Sequence, residues 1–365
     1  MFGGTSATLG VDLGDTWIWN GSAWSRVTSP GPSPRRGALM TYDAANDRAV
    51  LVGGLGSTSD VWFFNGQWSQ QSLTTKSPYV YQRSTLSYDA VTKRVMLTAD
   101  GSQYSLSPKM AWESAGSAPS ASSLEGPARM YPAVAECAEQ KRHFFGGVKD
   151  FFSSFPQSFL NDSWYLTSSG AFPVTASNRP PGRAAHGMAF YPVAKSTVLF
   201  GGFRTHLPSQ GLSDTWGASC SNASIIWTQS FPAHAPAGRS FHAMTTGPNG
   251  LTVLLFGGQV LFGGQVGVNV NGETWTWGRS VACLPENGST IPVGSRVDCL
   301  FEPGQDRIFR GWSPDGFAQP RRFTLQQGFR TLGPGDASIT ATWSGSQGEQ
   351  SETFHYTITT PAAPK

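Results

Sequence analysis

The chain has 365 residues, of which 39% are hydrophobic and 13% are charged, and its formal net charge is +3. With 43 Gly, 13 Trp and 23 Phe, this composition excludes a disordered chain, a coiled coil and a typical helical bundle. The basic residues do not form the cluster that a dedicated nucleic-acid-binding protein carries. The length favours two domains.

Short apolar runs that end in a Gly pair recur through most of the chain. The pairs begin at Gly3, Gly53, Gly146, Gly201 and Gly257. Each pair is followed by an acidic residue, a small or β-branched residue and Trp: Asp15-Thr16-Trp17, Asp60-Val61-Trp62, Asp162-Ser163-Trp164, Asp214-Thr215-Trp216 and Glu273-Thr274-Trp275. A second aromatic residue usually follows: Trp24, Trp68, Trp112, Phe172 and Trp227. One unit, over residues 83–112, is degenerate, because Ala99-Asp100-Gly101 stands where its Gly pair belongs.

The order of Gly pair, acidic residue, Trp and second aromatic resembles a kelch motif, whose period is about 50 residues. The resemblance covers residues 1 to about 280 and implies a β-propeller, in which four-stranded sheets, or blades, surround a central channel. The runs Arg48–Val52 and Ser196–Phe200 have the length and β-branched content of buried strands. Asn20-Gly21 and Asn65-Gly66 predict two-residue hairpin turns.

If the strands of a blade are named a to d, the b–c links and the d–a links share one face of the propeller. These links vary in length and composition, and variable loops on a rigid scaffold are where binding usually resides. We therefore expect the binding surface on this loop face.

Six repeats are predicted, the first and last of them incomplete. The first begins at its Gly pair, as an N-terminally incomplete chain would, and the last lacks a convincing strand d. Leu255–Val260 recurs as Leu261–Val266, and either copy presents the same face because six is an even number. We expect this duplication to lengthen a hairpin. The surrounding uncharged stretch is broken by Gly and polar residues, which argues against a membrane span.

After about residue 280 a different β pattern begins, with apolar and polar residues alternating between Gly and Pro turns. The predicted strands are Ser295–Phe301, Arg307–Trp312, Arg321–Leu325, Ala337–Trp343 and Thr353–Thr359. The pattern suits an immunoglobulin-like β-sandwich. The predicted fold is thus all-β, with a kelch-type β-propeller over residues 1–280, an immunoglobulin-like β-sandwich over 281–360 and a tail over 361–365.

Several polar residues recur with the repeat, and sites seldom copy themselves in every repeat. Arg35, Arg183 and Arg239 are therefore predicted to bond to backbone or to neighbouring blades, and His186 and His242 to be structural. The acidic residue before each motif Trp is predicted to be a turn or inter-blade partner.

The four cysteines contain no C-x-x-C pair, so no metal site or other cofactor is expected. Cys283 and Cys299 lie in one segment and predict a disulfide, which suits an extracellular or cell-surface location. Cys137 and Cys220 are left open between a disulfide and buried free thiols. No signal peptide opens the chain, in keeping with an incomplete N-terminus.

A propeller followed by an immunoglobulin-like domain is similar to the plan of galactose oxidase-like copper radical enzymes. That resemblance implies Tyr and His copper ligands, a Tyr–Cys crosslink and a His from the C-terminal domain, for which His355 is the candidate. The chain lacks a Tyr-His dipeptide and a recognisable crosslinking motif around Cys137 or Cys220. A copper oxidase is therefore the alternative, and a structural module of a larger surface protein is a further one.

One b–c link, Val148–Asn161, is the longest of its kind and is rich in aromatic residues. The candidate ligand-binding residues are Phe151, Phe152, Phe155 and Phe159, with Lys149, Arg204 and His206 on the same face. The rings form either an exposed patch for a partner or packing over the channel mouth. The prediction is non-catalytic binding of a protein or carbohydrate partner, without nucleic acid or a membrane span.

Overall fold

The structure is a computed structural model. It describes residues 1–6, 10–21, 23–55, 60–78, 80, 82–99, 101–117, 129–137, 141–149, 158–168, 170–205, 211–221, 224–232, 235–247, 250–260, 269–270, 272–278, 281–284, 289–292, 297–301, 308–313, 322–325, 335–345 and 348–359. In these ranges the chain is all-β apart from a 3-10 turn at Pro192–Ala194, so the predicted fold class is confirmed. Among the described residues, no helix is long and apolar enough to cross a membrane.

The strands of the repeat region form six blades, which we number 1 to 6. Blade 1 contains β1 (Phe2–Thr5), β2 (Asp12–Trp19) and β3 (Trp24–Val27). Blade 2 contains β4 (Leu39–Asp43), β5 (Arg48–Val52), β6 (Val61–Phe64) and β7 (Trp68–Gln71). Blade 3 contains β8 (Thr85–Asp89), β9 (Arg94–Ala99), β10 (Ser102–Leu106) and β11 (Trp112–Ser117).

Blade 4 contains β12 (Ala133–Glu136), β13 (Arg142–Phe145), β16 (Ser163–Thr167) and β17 (Gly170–Ser177), and its b–c link forms a small hairpin of β14 (Val148–Lys149) and β15 (Ser158–Phe159). Blade 5 contains β18 (Gly187–Tyr191), β19 (Ser196–Phe200), β20 (Thr215–Cys220) and β21 (Ser224–Ser230). Blade 6 contains β22 (Ala243–Thr246), β23 (Val253–Phe256) and β26 (Thr274–Trp277), with β24 (Gln259–Val260) paired to β25 (Asn269–Val270).

The first and last blades have three strands each in the described ranges, as predicted. Among the described residues, blade 1 has no strand a and blade 6 has no strand d. The first copy of the duplicated segment, Leu255–Val260, supplies the end of β23 and all of β24, whose pairing extends a hairpin. The second copy, Leu261–Val266, lies outside the described residues.

Blade 1 contacts blade 6 through the same kind of Trp interaction that joins blade 2 to blade 1. Trp68 of blade 2 donates a hydrogen bond from Nε1 to Thr16 Oγ1 at 2.8 Å, and its ring lies 5.4 Å from Phe2. Trp24 of blade 1 donates in the same manner to Thr274 Oγ1 at 2.7 Å, and its ring lies 5.1 Å from Phe256. The second aromatic residue of the repeat therefore fills the space between a blade and the one before it.

Blades 4 and 5 are also joined through their outer strands. Strands β17 and β21 pair in parallel, with Thr175 opposite Ser224 and Ser177 opposite Ile226. This pairing makes one eight-stranded sheet of the two blades. The fully buried Trp227 of β21 packs against Phe145 of β13, with ring centroids 4.9 Å apart.

The C-terminal strands form two further sheets. One has the order β27 (Val281–Leu284), β29 (Val297–Phe301) and β31 (Arg322–Leu325). The other has the order β28 (Thr290–Pro292), β33 (Gly348–Thr359), β32 (Gly335–Gly345) and β30 (Ile308–Ser313). Ile339 and Phe354 lie opposite each other and are buried, in agreement with the predicted alternation. An immunoglobulin-like arrangement of these strands stays a prediction.

The chain divides into two compact units. The first comprises residues 1–190, 195–245 and 255–275, and the second comprises 191–194, 246–254 and 276–365. The domain bounds drawn from the sequence, at residues 280 and 360, remain predictions.

Candidate binding face

In blades 2, 4, 5 and 6, a buried arginine beneath the loop face connects strand b to strand c by hydrogen bonds. Its guanidinium donates to the carbonyl of the first Gly in the pair and to the carboxylate of the motif's acidic residue. The donors and acceptors are Arg35 with Gly53 and Asp60, Arg129 with Gly146 and Asp162, Arg183 with Gly201 and Asp214, and Arg239 with Gly257 and Glu273. The four arginine side chains are between 0% and 2% exposed. The repeated acid is therefore a partner within its own blade, and the predicted inter-blade role is wrong.

The same carboxylates accept a second hydrogen bond from the motif Trp two residues later. Trp164 Nε1 lies 2.6 Å from Asp162 Oδ2, and Trp216 Nε1 lies 2.7 Å from Asp214 Oδ2. Burial alone would raise the pKa of each carboxyl. The hydrogen bonds and charge of Arg129 or Arg183 lower it by more than burial raises it, so both pKa values lie below the ordinary one. These acids stay ionised and do not serve as general acids near neutral pH.

The backbone of these arginines connects each blade to the blade before it. The carbonyl of Arg183 accepts from Gly147 N of blade 4 at 2.9 Å, and that of Arg239 accepts from Gly202 N of blade 5 at 2.8 Å. A Cβ on Gly201 would lie 2.5 Å from the Arg239 carbonyl oxygen, and the φ of Gly201 is +68°. The Gly pair thus permits a close approach between blades, as the sequence predicted.

His186 and His242 pack between blades, in agreement with the structural role predicted for them. His242 Nε2 accepts a hydrogen bond from Gly187 N at 3.1 Å, and its ring lies 5.6 Å from Phe200. The ring of His186 lies 5.6 Å from Phe145. Burial lowers the pKa of His242 to about 3 and that of His186 well below its usual value, so both rings are neutral at physiological pH.

The residue two positions after each of these arginines lies on the loop face, next to its counterparts in neighbouring blades. Gly37, Tyr131, Ala185 and Phe241 each stand two residues after the arginine, and each has φ between +53° and +68°. Backbone hydrogen bonds join three of these positions across the blades. Tyr131 O accepts from Ala185 N, and Ala185 O accepts from Phe241 N, both at 2.9 Å. These links hold the strand-a entrances of blades 4, 5 and 6 side by side.

The aromatic side chains in this region form one cluster, which we call the mouth cluster: Tyr131, Phe159, Phe203 and Phe241. Tyr131 and Phe241 belong to blades 4 and 6 yet meet edge to face, with centroids 5.0 Å apart, over the small Ala185 of blade 5. Phe203 lies 5.8 Å from both Phe159 and Phe241. Phe203 is buried, whereas Phe241 is 46% exposed. The cluster therefore presents an aromatic surface on a rigid base.

The predicted site residues fall in different places. Phe159 belongs to the mouth cluster, where its ring packs against Phe203. Lys149 lies opposite Ser158 in the β14–β15 hairpin, and Arg204 is exposed and directly follows Phe203. Phe151, Phe152, Phe155 and His206 lie outside the described residues.

Sequence reasoning missed Tyr131, Phe203 and Phe241. The available signal was positional, because Tyr131 and Phe241 stand two residues after an arginine where another repeat has Gly37. An aromatic residue at a repeat position where another repeat has Gly indicates that the side chain has a role of its own in that repeat.

Two disulfides are present. Cys283 of β27 and Cys299 of β29 lie opposite each other and form a disulfide, as predicted from the sequence. Cys137 is joined to Cys220, which links blade 4 to blade 5 and answers the question left open for this pair. His355, the candidate copper ligand, is exposed on β33.

The fold and this face define an all-β propeller of kelch type. No family model matches the chain, and no curated protein matches it. Several solved structures are similar to it, and two of them cover most of this chain. One is a fungal alcohol oxidase of the AA5 family in complex with copper, with 10% identity, 97% of this chain and 92% of that chain covered, and a TM-score of 0.47. The other is YjhT, with 10% identity, 88% and 95% covered, and a TM-score of 0.46.

Proposed function

We propose that this protein is a non-catalytic binding module that holds a carbohydrate or protein partner on its loop face, at the mouth cluster. The observation that carries the proposal is the backbone of Tyr131 and Phe241, with φ of +54° and +57°. This left-handed conformation costs a bulky residue on the order of 1 kcal/mol or more and costs Gly almost nothing. Strain of this kind is kept where the side chain serves a purpose.

The surface suits a partner that offers a flat apolar face beside polar groups. Aromatic rings supply contact area at little cost in conformational entropy, and the Phe241 ring is half exposed. Exposed Arg204 adjoins the cluster and adds donors for hydroxyl, carboxylate or carbonyl oxygens. A pyranose ring or an aliphatic peptide side chain meets these requirements.

The test replaces both strained rings with the residue that the backbone prefers. The double variant Tyr131→Gly, Phe241→Gly keeps the φ values that Gly37 adopts in blade 2, so the fold is expected to persist. Binding in a glycan array and a surface-protein screen is expected to fall at least tenfold for every ligand of the parent protein.

Phe172→Ser supplies the matched control, because Phe172 is 52% exposed on β17 and is not part of the mouth cluster. Its binding should equal that of the parent. A parent ligand that binds the double variant with unchanged affinity would contradict the proposal. Stoichiometric copper with peroxide release on alcohols or sugars would replace it with the oxidase alternative.

A further inference from the structure

A second cluster of chemically active side chains lies inside the propeller, between blades 4 and 5. Cys137 follows β12, Cys220 ends β20, and His143 lies on β13. The two sulfur atoms and one ring nitrogen of His143 all lie within 4.8 Å of one another. In the parts of the chain that the structure describes, this is the one group of three His, Cys, Asp or Glu ligand atoms so placed.

His143 is held as a metal ligand usually is. The side chain is fully buried, and Nε2 lies 3.3 Å from Ser163 Oγ, which fixes the orientation of the ring. Nδ1 is buried and has no hydrogen-bond partner among the described residues. This buried nitrogen, without a hydrogen-bond partner in the described part of the chain, is therefore available as a ligand atom.

We propose that Cys137, Cys220 and His143 form a redox-gated site that binds a thiophilic cation, Zn²⁺ or Cu⁺, once their disulfide is reduced. Reduction by two molecules of a thiol adds two electrons and two protons to the disulfide, and the two thiols become a disulfide themselves. The cation then displaces the two cysteine protons and binds two thiolates and one neutral imidazole.

The ligand set suits both ions for different reasons. Two thiolates and a neutral imidazole balance the charge of Zn²⁺, and a neutral complex costs least in an apolar core. Two soft thiolates and one imidazole, the three ligand atoms that the described residues supply, suit three-coordinate Cu⁺. Either ion would keep Cys137 tied to Cys220, so the connection between blades 4 and 5 persists in both redox states.

The experiment uses the full chain with Cys283→Ser and Cys299→Ser, which leaves one cysteine pair. The protein is reduced with a dithiol, freed of it without oxygen, and titrated with Zn²⁺ alone and with Cu⁺ alone against a competing chelator. We expect one equivalent of at least one ion to bind the reduced protein and none to bind the oxidised protein. The Co²⁺ derivative should show thiolate-to-metal charge transfer.

His143→Phe is the discriminating variant, because it keeps a ring between Phe145 and Trp227 and removes the nitrogen ligand. Its affinity for the bound ion should be at least tenfold weaker at equal thiol content. Circular dichroism and Trp fluorescence follow the fold in both redox states. Failure of both ions to bind, equal affinity in His143→Phe, or reduced protein that unfolds and stays unfolded with metal present would each overturn the proposal.

Discussion

The Arg183→Met variant should lose about 3–5 kcal/mol of its free energy of unfolding, because removing one partner of a buried ion pair leaves the other uncompensated. The Arg183 side chain is fully buried, and Asp214 is 21% exposed. Without Arg183, the Asp214 carboxylate loses two hydrogen bonds and its neighbouring positive charge, and the Gly201 carbonyl loses a donor. Urea unfolding followed by Trp fluorescence measures the effect.

Arg36→Met is the matched control for this prediction. Arg36 follows Arg35 directly and pairs with Asp12, but its side chain is 51% exposed. Exposed pairs of this kind contribute at most about 1 kcal/mol. Similar urea midpoints for the Arg183 and Arg36 variants would show that the buried network is not what stabilises the blade.

Acidification is the second large perturbation, because three buried histidines fold in their neutral form. Burial lowers the pKa of His143 and His242 to about 3, and that of His186 well below its usual value of 6.5. Between pH 6.5 and about 3 the unfolded chain therefore binds more protons than the folded one. The stability that these groups contribute is complete above pH 6.5 and is lost as the pH falls. Each contributes a slope of up to about 1.4 kcal/mol per pH unit.

His186→Phe isolates one of these contributions. Neither ring nitrogen of His186 has a hydrogen-bond partner among the described residues, so Phe leaves no new orphaned group. Denaturant midpoints from pH 7 to pH 4 should fall less steeply for His186→Phe than for the parent protein. Phe172→Ser, which changes an exposed side chain that does not titrate, should keep the parent slope. An unchanged slope in His186→Phe would mean that the folded protein protonates this ring as readily as the unfolded chain does.

Local sequence patterns predicted strands well where the apolar residues of a strand are consecutive or alternate in the sequence. Arg48–Val52 and Ser196–Phe200 coincide with β5 and β19, and the predicted C-terminal strands overlap β29 to β33. The Asn-Gly turns were predicted less well. Trp19 pairs with Trp24 and Phe64 pairs with Trp68, so these hairpin loops have four and three residues instead of two. The pairing of aromatic residues across the two strands sets this register. An Asn-Gly dipeptide alone does not predict which residues pair.

The mouth cluster was hard to predict because its members come from separate repeats. Tyr131 and Phe241 are 110 residues apart in the sequence. Their rings meet across blade 5, which has the small Ala185 at the equivalent position. Arg129, which holds the same place in its repeat as Arg35, was also missed. The long Phe-rich link drew attention to the face on which the mouth cluster lies. Of its four Phe residues, Phe159 is the one placed within the described part of the chain.

The parallel pairing of β17 with β21 bears on how this protein avoids unwanted association. The outer strand of a blade normally offers an open row of backbone donors and acceptors, onto which a strand from another molecule can be added. Over Thr175–Ser177 and Ser224–Ile226 those groups face each other. Outer strands β3, β7 and β11 have no such neighbour among the described strands. Any edge-to-edge self-association is therefore expected at such unpaired outer strands and not at the seam between blades 4 and 5.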